Sequence, residues 1–221
     1  VMEASAAASA AAGLLADSRW TQNRRRELPP ELDVSEQGPR IGVFVCNCGI
    51  NIAGVVNVND VRDYAASLPY VEYVSDNLYS CAQDTQDTMT QIIRQKNLNR
   101  VVVAACTPKT HEPLFQETLI NAGLNKYLFE MCNIRNHDSW VHKNNPDLAT
   151  AKAKDLVRMA VSKVALMQPL PEAELNVNQT ALVIGGGISG MTAARSLAGQ
   201  GYATHLVESG DRLGGNAHRI F

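Results

Sequence analysis

The stretch 40–54, RIGVFVCNCGINIAG, decides the fold: it reads as a buried β-strand that ends in two cysteines and a glycine. Ile, Val and Phe are enriched in strands, and an unbroken apolar run is typical of a strand covered on both faces. A second run, RVVVAAC at 100–106, has the same character and also ends in cysteine. The two runs predict a parallel sheet with helices on both of its faces.

The chain around these runs alternates strands and helices. Segments 71–81 and 126–134 are predicted as two further strands, and segments 57–68, 84–98, 111–124 and 147–167 have helical periodicity. Asn57 or Asn59 is expected to cap the first of these helices, while Pro113 suits the first turn of the third and Gly123 its end. Four strand–helix repeats predict a flavodoxin- or Rossmann-like α/β domain, whose ligands bind at the carboxyl ends of the strands.

Composition limits the classes of function. The chain has 221 residues and a formal net charge of −2, so no basic surface predicts a nucleic-acid partner. The longest uncharged run near the start, ASAAASAAAGLLA at 4–16, is too short to span a bilayer. Five cysteines without a secretion signal indicate a reducing compartment, in which cysteines bind metals or take part in redox chemistry rather than form a disulfide framework.

All five cysteines fall near the carboxyl ends of predicted strands. Four thiolates gathered at one such edge would suit an iron–sulfur cluster or a tetrahedral zinc, although the usual C-x-x-C spacing is absent. Cys132 lies inside an apolar strand, where cysteine is more often a packing residue. The expected metal ligands are therefore Cys46, Cys48, Cys81 and Cys106. Cations in the following loops, among them Lys109 and Arg135, would offset the charge of a thiolate-bound cluster.

A glycine-rich turn near the end of the chain predicts a dinucleotide site. ALVIGGGISGMTAA places Gly185, Gly187 and Gly190 in the G-x-G-x-x-G spacing between a strand and a helix, with Ile188 and Ser189 inside the turn. Such a turn lets a pyrophosphate approach the backbone at a helix N-terminus.

The residues beyond the turn indicate which dinucleotide binds. Glu208 ends the next predicted strand and is placed to accept hydrogen bonds from a ribose, which disfavours a 2′-phosphate. The pair Gly214 and Gly215 resembles the extended fingerprint of flavoproteins, which indicates FAD rather than NAD. A redox cofactor in the same chain favours iron–sulfur over zinc at the thiols.

These features divide the chain into five segments. Residues 1–19 form a helix, 20–39 a linker, 40–148 an α/β iron–sulfur domain, 149–178 a helix and linker, and 179–221 the start of an FAD-binding Rossmann domain. The last segment ends directly after half of a cofactor motif, so we expect the sequence to be part of a longer polypeptide.

The sequence resembles the family formed by the A subunit of heterodisulfide reductase and its bacterial relatives. The matching strings are VFVCNCGINIAGVV, DNLYSCAQDTQ, NRVVVAACTPKTHEPLF, FEMCNIRNHDSWVH, AKDLVRMAV and ALVIGGGISGMTAARSLAGQGY. The resemblance implies a cytoplasmic flavin and iron–sulfur subunit with a thioredoxin-reductase-like FAD domain. It implies FAD and a [4Fe–4S] cluster as cofactors, and flavin-based electron bifurcation in some members. The partners it implies are other subunits of this type and ferredoxin, hydrogenase or dehydrogenase electron donors, in a hetero-oligomer.

Two residues depart from the family pattern. Family members often have cysteine where this chain has Asp138, and an apolar residue where it has Cys132. If that family cysteine is a ligand, Cys132 or Asp138 is the substitute. Residues 1–19 look like the closing helix of a preceding FAD domain, which would make the full polypeptide a tandem of two such units.

Three functions fit the sequence. The leading one is an oxidoreductase subunit that transfers electrons between FAD, a [4Fe–4S] cluster and partner subunits, for which no general base or nucleophile is apparent. An NAD(P)H-linked flavin disulfide reductase would need a redox C-x-x-C pair, which this sequence lacks. In the third, the first domain is a non-redox zinc-binding or docking module fused to an FAD domain.

Overall fold

The computed structural model describes residues 1–21, 23 and 26–220, apart from the side chain of Arg219. Gln22, Arg24 and Arg25 of the expected linker and Phe221 at the end of the expected FAD segment lie outside these residues. The chain forms two compact units, Glu27–Glu172 and a second one that combines Val1–Arg26 with Ala173–Phe221. Within the described part, no helix is both long enough and apolar enough to cross a membrane.

The Glu27–Glu172 unit is built on the predicted parallel sheet. Its strands are β1 (Ile41–Cys46), β2 (Val71–Asn77), β3 (Arg100–Ala105) and β4 (Phe129–Asn133), in the order β2-β1-β3-β4 with every pair parallel. β1 and β3 occupy the centre and are buried at every position, because helices cover both of their faces. The fold class that the sequence predicts is confirmed.

Helices cover the two faces of this sheet in pairs. α2 (Val58–Ala65) and α5 (Pro146–Ala165) lie on one face, where Lys163 forms an ion pair of 2.6 Å with Glu130 of β4. α3 (Gln83–Gln95) and α4 (Pro108–Ala122) lie on the other, where Phe115 packs against Phe129 with 5.9 Å between ring centroids. Glu130 and Phe129 face opposite ways because side chains alternate along a strand.

The helix ends follow the predicted capping with one difference. The Asn57 side chain accepts a hydrogen bond from the Asp60 backbone N–H, and Gly123 ends α4 with a φ of +86°. α4, however, begins at Pro108, three residues before the predicted start, with Thr107 as its N-cap. Pro108 therefore takes the first-turn position assigned to Pro113, which lies inside the helix.

Buried polar groups near the amino ends of the strands are hydrogen-bonded. The Arg100 guanidinium donates to the carbonyl oxygens of Met167 and Asn99, at 3.1 and 3.0 Å. The Asn99 side-chain amide donates to the Gly38 carbonyl at 2.9 Å, and that of Asn125 to the Leu170 carbonyl at 3.0 Å. These bonds fix the chain segments at both ends of the unit to the sheet.

The second unit contains β5 (Thr180–Ile184), α6 (Ile188–Gly199) and β6 (Ala203–Val207), with the two strands parallel. α1 (Met2–Leu14) belongs to the same unit. The hydroxyl groups of Ser9 and Ser196 are 2.8 Å apart, and the Arg19 guanidinium lies 4.0 Å from the centre of the Tyr202 ring. The strand–turn–helix–strand arrangement is the one that the glycine spacing predicts.

Candidate functional site

The thiol of Cys46 lies at the carboxyl end of the central strand β1. It is 5% exposed, and the backbone N–H of Ser80, in the loop after β2, donates to its sulfur at 3.4 Å. Burial raises the pKa of this thiol, while hydrogen bonds from Ser80 and the backbone of Cys48 act in the opposite direction. The sulfur is thus protected from water and faces backbone donors that stabilise negative charge.

Cys48 lies beyond the end of β1, in a left-handed turn with φ +44° and ψ +38°. The alternation of side chains along a strand therefore does not determine where the Cys48 thiol lies relative to that of Cys46. Instead, the turn brings Cys48 to Arg135, whose guanidinium nitrogen is 3.7 Å from the Cys48 sulfur. Arg135 also lies 5.0 Å from the centre of the Trp140 ring. A cation therefore contacts the thiol directly.

Arg135 is placed by a π-helical turn, Arg135–Ser139, that follows β4. The Ser139 hydroxyl in this turn donates to the Asn51 carbonyl at 2.5 Å, which ties the turn to the loop after β1. Such turns are rare and occur often at functional sites. The sequence indicated that cations would line this edge, but not that Arg135 would be the one in contact.

Cys106 directly follows β3 and is 7% exposed. Burial raises its pKa, Arg135 lowers it, and negative charge on Cys46 or Cys48 raises it further. Cys106 is therefore close enough to Cys46 and Cys48 for charge on either thiol to raise its pKa, and Arg135 is the cation near both Cys48 and Cys106. We call Cys46, Cys48 and Cys106 the thiol rim.

The other two cysteines lie elsewhere. Cys81 is exposed in the loop after β2, next to Ser80, so it is at the same edge of the sheet as the thiol rim. Cys132 pairs with Ala104, one register position before the end of β4, and faces the α2–α5 side of the sheet, opposite to Cys46. Burial and the nearby carboxylates of Glu130 and Asp138 raise its pKa to about 12.

Asp138 is fully buried in the π-helical turn, and neither carboxylate oxygen has a hydrogen-bond partner among the described residues. Burial raises its pKa to about 6, although Lys152 lowers it. The carboxyl is near Cys132, whose pKa it affects. Cys132 and Asp138 are the two residues considered as substitutes for the missing family cysteine. Both are buried, and neither is part of the thiol rim.

The donor set fits an anionic, sulfur-ligated group in part. Thiolates are the ligands of iron–sulfur clusters, and Arg135 with the Ser80 N–H supplies the positive potential that such a cluster needs. Within the described part of the chain, no three His, Cys, Asp or Glu side chains form a group that could already hold a metal ion. The thiols are thus gathered at one edge but are not preassembled around a metal.

The glycine turn has the geometry of a phosphate-binding loop. Gly185 has a φ of +106°, which favours glycine, and a Cβ at Gly190 would lie 1.8 Å from the Gly185 carbonyl oxygen. The free N–H groups at the start of α6 open into a cleft. The cleft is lined by Ile184, Gly185, Gly187, Ile188, Ser189, Gly190, Gly214, Asn216, Ala217 and Ile220. The sequence pattern indicated six of these, while Ile184, Asn216, Ala217 and Ile220 belong to no motif.

Glu208 directly follows β6 and is bonded to the glycine turn. Its carboxylate accepts hydrogen bonds from the backbone N–H groups of Gly186 at 2.5 Å and Gly210 at 3.0 Å. These bonds hold its pKa at about 2. The Gly214 N–H donates to the Gly186 carbonyl at 2.8 Å, and Gly214 and Gly187 form a parallel bridge; Gly215 packs against Gly187. The expected cofactor-binding residues thus lie together.

The chain is similar to a known domain family and to several known proteins. The NAD(P)-binding Rossmann-like domain family matches residues 183–220. The A subunit of the H(2):CoB-CoM heterodisulfide,ferredoxin reductase of Methanothermobacter marburgensis is 52% identical over 182 residues, which is 82% of this chain and 28% of that protein. The second iron-sulfur A subunit of the CoB–CoM heterodisulfide reductase of Methanopyrus kandleri is 50% identical over 187 residues, 85% of this chain and 28% of that protein.

A more distant relative gives the same result. The A subunit of the ferredoxin/F(420)H(2)-dependent CoB-CoM heterodisulfide reductase of Methanosarcina acetivorans is 42% identical over 176 residues, 80% of this chain and 22% of that protein. The chain spans about a quarter of the length of these relatives. The resemblance expected from the sequence is confirmed: over the matched residues, the chain is similar to A subunits of heterodisulfide reductases.

Proposed function

We propose that this chain is part of an oxidoreductase subunit that transfers electrons between FAD, a [4Fe–4S] cluster and partner subunits. The observation that carries the proposal is the contact of Arg135 with Cys48, at the edge of the sheet where Cys46 ends β1 and Cys106 follows β3. A cation among thiols at the carboxyl edge of the sheet suits a bound anion, and one relative is named an iron-sulfur subunit.

Cys46, Cys48, Cys81 and Cys106 are the proposed ligands. Cys81 is exposed in the loop after β2 at the same edge of the sheet, and it would complete the set that the thiol rim begins. Cys132 and Asp138 are weaker candidates because both are buried away from the rim. When bound, the cluster accepts or donates one electron, and the role of the chain is to hold it and set its reduction potential.

The glycine turn is the proposed FAD site. The α6 N-terminus would face the pyrophosphate, with Gly185, Gly187, Ile188, Ser189 and Gly190 around it and Gly214 and Gly215 alongside. Glu208 would accept hydrogen bonds from the ribose through the lone pairs that its backbone donors leave free. The matching family is described as NAD(P)-binding, so NAD is the competing ligand at this turn.

The proposed partners of this chain are inferred from the names of its relatives. Their names include ferredoxin and F420H2, which supports ferredoxin or hydrogenase and dehydrogenase partners and other heterodisulfide-reductase-type subunits in a cytoplasmic hetero-oligomer. Flavin-based bifurcation remains part of the proposal, as does the assignment of residues 1–19 to the end of a preceding FAD domain.

Anaerobic absorption and metal analysis of the purified protein test the cluster. We expect a broad shoulder in the blue that dithionite bleaches, with iron and acid-labile sulfide in equal amounts. A colourless protein that contains zinc would replace the proposal with the zinc-binding module. A protein that contains neither iron nor zinc would favour the third function, in which the first domain is a docking module.

Gly190→Ala tests the dinucleotide site. The added Cβ would clash with the Gly185 carbonyl, which must move and distort the turn, so we expect at least tenfold weaker FAD binding, about 1.4 kcal/mol. Gly199→Ala is the control, because a Cβ there meets nothing within 4 Å. Equilibrium titration with FAD and with NAD is the measurement. Equal FAD affinity in both variants, or tighter binding of NAD than of FAD, would contradict the assignment.

A further inference from the structure

Two asparagine side chains flank the thiol rim on the carboxyl edge of the sheet. Asn77 ends β2 and pairs with Cys46, while Asn133 ends β4 and pairs with Ala105, the residue before Cys106. β1 and β3 are in register up to Val45 and Ala104, so the next residues, Cys46 and Ala105, are level. Asn77, Cys46, Ala105 and Asn133 thus form one row across four strands.

The side chains of such a row point to the same face, because neighbours in register on parallel strands share their orientation. Neighbouring strands are about 4.8 Å apart, so Asn77 is one strand from Cys46 and Asn133 is one strand from the end of β3. The ladder continues beyond the strands, since the N–H of Cys48 donates to the Leu78 carbonyl at 3.0 Å. Asn77 therefore adjoins both Cys46 and the turn that carries Cys48.

Both side-chain amides are buried without a hydrogen-bond partner. The Nδ2 atoms of Asn77 and Asn133 have no access to solvent and no acceptor among the described residues. Asn133 is 7% exposed, and its Oδ1 already accepts from the Asn136 N–H at 2.8 Å, which fixes the orientation of the amide. A buried N–H donor without an acceptor costs free energy, so unused donors at a ligand-binding edge point to an acceptor that binds there.

The buried asparagines at the other end of the sheet behave differently. The amides of Asn99 and Asn125 both donate to backbone carbonyls, at 2.9 and 3.0 Å. Orphaned amides are therefore not a general feature of this unit. They occur beside the thiols, where the neighbouring groups, the Ser80 N–H and the Arg135 guanidinium, are also donors.

We propose that the side-chain amides of Asn77 and Asn133 donate hydrogen bonds to sulfur atoms of the bound cluster and thereby raise its reduction potential. The inference rests on the proposed cluster at the thiol rim. Reduction adds one electron to the cluster and increases the negative charge on its sulfurs, whereas the amide protons stay on nitrogen. N–H donors therefore stabilise the reduced state more than the oxidised one.

The test is a potentiometric titration, followed by EPR, of the full chain and of Asn77→Ala and Asn133→Ala. Each variant should shift the ratio of reduced to oxidised cluster toward oxidised by roughly three- to tenfold at a fixed solution potential, where tenfold equals about 59 mV. Asn144→Ala, an exposed asparagine, is the matched control and should leave the ratio unchanged. Unchanged reduction potentials in both Asn77→Ala and Asn133→Ala, with iron retained, would overturn this inference. They would not affect the proposal that a cluster binds at the thiol rim.

A second measurement needs no variant and covers the case in which a substitution prevents folding or iron binding. Protein labelled with ¹⁵N only in the asparagine side-chain amides should show ¹⁵N hyperfine coupling to the reduced cluster in pulsed EPR. Iron present without that coupling would overturn the inference alone. Unmodified protein that binds no iron would overturn the proposed function together with it.

Discussion

The two ends of the four-stranded sheet contrast in how their buried polar groups are satisfied. At the amino end, the Arg100 guanidinium and the Asn99 and Asn125 amides donate to carbonyl oxygens. At the carboxyl end, the amides of Asn77 and Asn133 and both oxygens of Asp138 have no partner among the described residues. The same unit thus contains a completed network and an incomplete one.

This difference indicates that polar groups at the amino end stabilise the fold, whereas those at the carboxyl end are placed to bind a ligand. A completed network stabilises the fold and is lost when any member is removed. Orphaned donors and a buried carboxylate cost free energy in the metal-free chain, so they are expected where a ligand is to be bound. In the metal-free chain, the carboxyl edge, where the thiols and Arg135 lie, therefore has unsatisfied buried polar groups that destabilise it, unlike the groups at the amino edge.

The largest effect is expected at the amino end. Asn125→Ala removes hydrogen bonds to Glu31 and Leu170 and leaves the Leu170 N–H without its acceptor. We expect a loss of about 2–4 kcal/mol in the free energy of unfolding, because alanine replaces none of the hydrogen bonds that this buried amide makes. Urea unfolding of the metal-free chain measures it, with Asn144→Ala as control. A loss below about 0.5 kcal/mol would remove the contrast between the ends.

A pH-dependent effect of opposite sign is expected from Asp138. Its pKa is about 6 in the folded chain against an ordinary value of 3.8, so the ionised carboxylate destabilises the fold above pH 6 and ceases to do so below about pH 4. Asp138→Asn should therefore stabilise the metal-free chain by about 1–3 kcal/mol at pH 8, and the gain should shrink as the pH falls through 6 toward 4.

Urea unfolding at pH 4.5, 6 and 8 checks this dependence. The exposed Asp87 provides the control, since Asp87→Asn should not give a gain that grows between pH 4.5 and 8. A destabilised Asp138→Asn variant at pH 8 would mean that the carboxylate has a partner in solution, and the carboxyl end would then be less strained than the structure indicates.

The smallest effect is expected from the two orphaned amides. In the metal-free chain, Asn77→Ala and Asn133→Ala remove no bond from Nδ2, so each should change the free energy of unfolding by less than about 1 kcal/mol. Asn133 also loses the bond from the Asn136 N–H, and its effect should be the larger of the two. Losses comparable with that of Asn125→Ala would place these amides among the stabilising groups.

The sequence predicted the parts of this arrangement that depend on local pattern. Apolar runs predict β1 and β3, the Asn57 cap and the Gly123 end are local, and parallel order places the strand-end cysteines at one edge. The glycine spacing predicts the turn and Glu208 for the same reason. Each of these features depends on residues that are close together in the chain, or on the rule that the carboxyl ends of parallel strands lie at the same edge of a sheet.

What the sequence did not predict depends on the order and register of the strands. The order β2-β1-β3-β4 brings Asn77 and Asn133 into one row with Cys46, and no local pattern marks either amide. The turn at Cys48 and the π-helical turn at Arg135 are equally hidden, because both depend on contacts between loops after different strands. Side chains alternate between the two faces along a strand, so the face on which Cys132 lies can be derived only once the start and register of β4 are known.

Iron per chain in single serine variants of Cys46, Cys106 and Cys132 tests the central claim most directly, because the first two lie in the thiol rim and the third faces the opposite side of the sheet. After anaerobic reconstitution, Cys46→Ser and Cys106→Ser should each lose the iron of one cluster, while Cys132→Ser should retain it. Equal iron in all three variants, or a loss confined to Cys132→Ser, would contradict the assignment of the cluster to the thiol rim.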